Sequence, residues 1–178
     1  NDTVLPTADV TVSSEANTNE DVTVTIKASE ALKEIAGWTK IDDTTFTKIF
    51  SENVEETITV EDISGNKKEV SYKVEGIDKV APTATVTYSK TEPTNGAVIV
   101  TLTASEAITL DKTAGTWLDK GGNVYQKSYP QNKVQEIKFK DLAGNEGSVT
   151  VTIENIDKVE PTATVTYSKT EPTNGAVI

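Results

Sequence analysis

Apolar and polar residues alternate with a period of two along most of this chain. The stretches "TATVTYS" (83–89), "AVIVTLTAS" (97–105), "NVYQKSY" (123–129), "VQEIKFKD" (134–141) and "SVTVTIEN" (148–155) set Val, Ile, Leu, Phe or Tyr against Thr, Ser, Lys or Glu. Half-buried strands have this pattern, because successive side chains point to opposite faces of a sheet. Turn residues stand between the runs, as in "EPTNG" and "LAGN", and predict antiparallel connections. "ASEALKEIAG" (28–37) has some helical character but reads as a loop or one short turn.

The pattern repeats. Pro6, Pro82 and Pro161 each open a Pro-Thr-Ala frame, at intervals of 76 and 79 residues. Glu30 and Glu106 keep the first interval, whereas Trp38 and Trp117, Phe46 and Tyr125, Asp62 and Asp141, and Asn66 and Asn145 keep the second. The extra three residues therefore fall in "ITLDKTAGT" (108–116), where a loop is expected. The predicted units are residues 1–78 and 79–157, with 158–178 supplying the first two strands of a third. Each full unit is expected to hold about seven short antiparallel strands in two sheets, with Trp38 or Trp117 on the third strand and buried between them. The joints "EGIDKVAPTA" and "ENIDKVEPTA" are short and contain Pro, which favours a stiff, extended connection.

Composition narrows the chemistry. The chain has 28 acidic against 17 basic residues, a net charge of -11, and neither Cys nor His. A surface of that sign repels nucleic acid. Disulfides, thiolate metal sites and the commonest general base are excluded by composition. No run approaches the roughly 20 apolar residues of a membrane-spanning helix, so no membrane insertion is expected, and no stretch reads as a signal peptide. Carboxylate pairs alone do not make a hydrolase without a cleft to hold substrate, and no enzymatic activity is expected.

The series "PTATVTYS", "VIVTLTASEAIT", "GTW" and "DLAGNEGSVTVTIENIDKV" resembles the tandem bacterial Ig-like domains of Gram-positive surface and secreted proteins, among them S-layer-associated proteins, adhesins and multidomain glycosidases. The resemblance implies tandem Ig-like β-sandwiches outside the cell, at the cell wall or secreted. It implies a stalk or spacer whose partners are neighbouring repeats of the same protein. An adhesive module that recognises a host protein or glycan is the alternative, with self-association through residues 160–178, whose last 17 letters equal 83–99.

In such a sandwich the loops after the second and sixth strands lie at the same end as the incoming joint. Asp2, Glu30, Asp62 and Asn66 of the first unit, and Asp78, Glu106, Asp141 and Asn145 of the second, should converge there. Carboxylate and amide oxygens drawn from three segments suit Ca²⁺, which takes six to eight oxygen ligands. No other cofactor is expected. Local architecture offers a second reading of the same residues. In "D-x-x-G-N" the Asp accepts turn N–H groups and Gly65 or Gly144 takes a positive φ, while Lys79 or Lys158 neutralises the cluster. Lys27 is expected to be solvated. Tyr88 and Tyr167 are read either as half-buried edge residues or as platforms for sugar stacking.

Overall fold

The computed structural model describes residues 2–168, 171, 172 and 174–176. Among these the chain is all-β, with thirteen strands in four antiparallel sheets and no α-helix. The first sheet comprises β1 (Ala8–Val12), β2 (Val22–Ala28), β4 (Thr45–Phe50) and β3 (Thr39–Lys40) in the order β1-β2-β4-β3, and the second is the hairpin of β5 (Val54–Glu61) and β6 (Lys67–Val74). The later part of the chain repeats this plan. There β7 (Ala84–Tyr88), β8 (Val98–Ala104), β10 (Leu118–Gly121) and β11 (Val124–Tyr129) pair in the order β10-β11-β8-β7. Alongside stand β9 (Ile108–Leu110), β12 (Lys133–Asp141) and β13 (Glu146–Ile153), ordered β13-β12-β9.

The alternation explains the strands. In β2 the inward Val22, Val24 and Ile26 are fully buried, and in β8 Val98, Val100 and Leu102 occupy the equivalent places. These residues join two separate apolar clusters. One gathers β2, Phe46, Val60, Val70, Tyr72 and Val74; the other gathers β8, Tyr129, Ile137, Phe139, Val151 and Ile153. In each, a four-stranded sheet and the sheet opposite it share one core, which satisfies the need of every half-apolar sheet to cover one face.

Several expectations are corrected. Trp38 and Trp117 lie just before the short strands β3 and β10 rather than on them. Trp38 is buried edge-on to Tyr72, but Trp117 is only half-buried, beneath the Lys127 ammonium. The three-residue insertion is not an irregular loop. It forms β9, whose Leu110 stands opposite Phe139, and a 3-10 turn at Lys112–Ala114 capped by Asp111. In the first unit the same edge makes one bridge, Leu32 to Asp62, so the shorter loop leaves six strands and the longer one seven. Residues 161–167 form no strand, contrary to expectation. These residues are exposed, and a lone pair of strands is marginal in water. The second strand expected in the third repeat lies partly outside the described residues.

Each unit closes in the same way at its far end. Thr18 bridges Ile77 in parallel, as Thr94 bridges Ile156. Asn53 holds both backbone groups of Ile77, accepting its N–H at 2.8 Å and donating to its carbonyl at 3.0 Å; Asn132 does the same to Ile156 at 2.9 and 3.0 Å.

Candidate metal centre

The site begins with a five-residue turn. Asp62 follows β5, and the chain reverses through Gly65 at φ +98° to enter β6 at Lys67. A positive φ costs Gly little, since it has no Cβ. The Asn66 N–H donates to Asp62 Oδ1 at 2.8 Å, and the Asn66 side-chain nitrogen donates to Asp62 Oδ2 at 2.7 Å. The same nitrogen reaches the carbonyl oxygen of Asp2 at 3.3 Å. The second unit matches it, with Gly144 at φ +95°, and with Asn145 bonded to both oxygens of Asp141 at 2.9 and 2.8 Å and to the carbonyl of Asp78 at 2.9 Å.

The loop after β2 supplies the third group. Ser29 clasps the incoming segment: its N–H donates to the Thr7 carbonyl at 2.9 Å and its hydroxyl accepts the Thr7 N–H at 3.0 Å. Ser105 and Thr83 repeat the exchange at 2.8 and 3.0 Å. The next residue, Glu30 or Glu106, is thereby fixed beside the turn. Carboxylate oxygens of Asp2, Glu30 and Asp62 all lie within 4.8 Å of one another, as do those of Asp78, Glu106 and Asp141. The two triads could hold a metal ion such as Ca²⁺.

Asn66 and Asn145 turn their amide nitrogens toward the triad Asp residues, so at these contacts they orient carboxylates. Asp2 and Asp78 each bend their own backbone, accepting the N–H of Val4 and Val80 at 3.0 Å. Lys79 does not neutralise the cluster; its ammonium meets Asp21 at 2.5 Å.

The innermost carboxylates are nearly dry, with Asp62 1% and Asp141 7% exposed. Burial alone would push the Asp62 carboxyl up, but the side-chain and backbone donors of Asn66, joined by the N–H groups of Gly65 and Ser64, hold it below the usual range. Asp141 is held low against burial by Asn145, Gly144 and Ala143. Glu30 moves the other way. Desolvation raises it, and the charges of Asp2 and Asp62 add to the rise. Three carboxylates in such proximity repel one another, and a cation of higher charge reverses that logic.

The second triad straddles the joint between units. The Asp78 N–H donates to Thr18 of the first unit at 2.9 Å, while its carbonyl accepts from Asn145 of the second. The Asn19 N–H also crosses to the Ala143 carbonyl at 3.1 Å.

Sequence reasoning missed the clasps of Asn53 and Asn132, although their 79-residue spacing repeats that of the turn Asp residues. The other candidates remain apart from the triads: Lys27 is exposed on β2, and Tyr88 is half-buried against the second core with its hydroxyl accepting the Thr152 N–H at 3.0 Å. No protein-family model, no curated protein and no solved structure matches this sequence.

Proposed function

We propose that this chain is part of a non-catalytic, extracellular array of Ig-like repeats, a stalk or spacer in a bacterial surface or secreted protein, stiffened by Ca²⁺ where one repeat meets the next. The observation that carries this reading is Asp78. A single residue closes the first unit by its N–H and contributes the carboxylate that completes the second unit's triad. An ion bound there ties the connecting segment to the body of the second unit, which restricts bending. The recurrence of the triad at Asp2, Glu30 and Asp62 supports a device belonging to the repeat rather than to one position.

The test is calcium-dependent stability. An ion that binds only the folded state stabilises it by mass action, so calcium should raise the melting temperature, and Asp78→Asn with Asp141→Asn should remove the part of the rise due to the second triad. Identical melting curves in calcium and in chelator would overturn the proposal.

One observation favours the alternative of an adhesive module that self-associates through residues 160–178. Val165 and Tyr167 are 76% and 68% exposed, whereas Val86 and Tyr88, in the same local sequence, pack against the second core. Concentration-dependent dimers in sedimentation, lost on replacing both residues by Ser, would support it; a monomer at every concentration would remove it.

A further inference from the structure

We infer that the Asn95–Gly96 turn, at the far end of the second unit, is a site of self-modification in the folded protein, where Asn95 closes to a succinimide and opens to aspartate or isoaspartate. The step is an attack of the Gly96 backbone nitrogen on the carboxamide carbon of Asn95. A new N–C bond forms, the bond from that carbon to the amide nitrogen breaks, and the nitrogen leaves as ammonia carrying the proton taken from Gly96. Water then adds across either imide C–N bond, so nothing is oxidised or reduced.

Three features place the reaction here and not in the equivalent turn of the first unit. Asn95 is exposed whereas Asn19 is half-buried, and the Asn19 N–H is engaged by the Ala143 carbonyl. Gly96 has no side chain to hinder the five-membered ring, while Glu20 occupies its place in the first unit. Third, Lys90 stands over the turn. A Cβ on Gly96 would lie 2.9 Å from the Lys90 ammonium, which also donates to Thr94 Oγ1 at 3.3 Å; that hydroxyl accepts the Gly96 N–H at 3.1 Å, as Thr18 Oγ1 accepts the Glu20 N–H in the first unit, so the lysine is what differs. A cation so close favours the deprotonated amide that attacks. Ser14 stands at the matching position of the first unit. Conversion adds a negative charge to the far end of the unit, and isoaspartate adds a methylene to the backbone there.

The experiment is incubation of the whole protein at mildly alkaline pH, followed by tryptic mapping for a gain of about one dalton. Cleavage after Lys90 and Lys112 gives a peptide distinct from those carrying Asn19 or Asn174. Asn95 should convert about tenfold faster than Asn19 and should do so while the protein is folded; Lys90→Gln should slow it by about two- to threefold. Gly96→Glu, which copies the first unit and does not require a positive φ, should slow it to about the rate of Asn19. Conversion of Asn95 only in guanidinium-unfolded protein, or at the rate of Asn19, would overturn the inference, and an unchanged rate in Lys90→Gln would remove the cation from it.

Discussion

Lys140 and Glu146 face each other across the β12–β13 hairpin, with Nζ and an ε-oxygen 2.8 Å apart, and the first unit holds the same pair with its charges exchanged, as Glu61 and Lys67 at 3.7 Å. Directly opposed positions on one face need opposite charges but not a fixed order of them. Both pairs lie at the surface, with only Glu61 half-buried, so each contributes little. Reversing Lys140 alone to Glu should lower the urea midpoint slightly, and adding Glu146→Lys should restore it. A double-mutant cycle showing simple additivity would mean the two do not interact.

Removing the Glu30 charge should act in opposite directions in chelator and in calcium. With its folded pKa raised, the carboxyl favours folding when protonated, and that contribution is lost as pH rises through the folded value. At neutral pH without metal, Glu30→Gln should therefore raise the melting temperature. In calcium the same variant should gain less than the parent protein, because a ligand is missing. Melting scans of both proteins in both buffers supply the comparison.

Asp62 and Asp141 carry the reverse pH dependence. Their folded pKa values are depressed by the turn donors that outweigh burial, so they add stability above the ordinary carboxylate range, and this fades as pH falls through their folded values. Acid titration of the folded protein should lose stability in that low window. Asp62→Asn combined with Asp141→Asn should flatten the loss; an equally steep loss in the double variant would place its cause elsewhere.

Gly147 has no room for a side chain. A Cβ there would overlap the Pro82 carbonyl oxygen and lie 2.5 Å from the Phe139 ring. The first unit carries Lys68 at the matching place, so the tight approach belongs to the second unit alone. Gly147→Ala should cost about 1–3 kcal/mol in urea unfolding, as overpacking of a filled core does, while Lys68→Ala should be nearly silent.

The Asn53 clasp satisfies two backbone groups of Ile77 that lie outside any strand. Asn53→Ala leaves both without that partner, and about 1–3 kcal/mol should be lost. Hydrogen exchange at the Ile77 N–H should accelerate in the variant, with protection of β2 unchanged under conditions of local opening.

Much of this fold was legible because strand alternation is local information. "VTVTIKA" shows its inward residues on inspection, and the structure buries them. The carboxylates were legible for another reason: a repeat exposes which polar residues recur at a fixed offset. What escaped depends on neighbours distant in sequence. Whether "ITL" becomes β9 is decided by the open edge of β12 at Phe139, and no property of Ile108, Thr109 or Leu110 announces that edge. Trp38 and Trp117 look alike in sequence, yet Trp38 is buried edge-on to Tyr72 while Trp117 lies half-buried beside Lys127 and the 3-10 turn. The donor role of Asn66 and Asn145 escaped similarly, since an amide presents oxygen and nitrogen with equal ease.

Asp78 has a mechanical consequence. Tension applied between the two ends enters the second unit through residues 78–82, and the first bonds it meets are the Thr18 and Asn145 contacts of Asp78 and the Lys79–Asp21 pair. These contacts and the Asn19–Ala143 bond lie outside both apolar cores, and the chain enters β7 only beyond them. If the chain serves as the proposed array, a joint held by these contacts should yield and re-form before either core opens, and calcium should stiffen it.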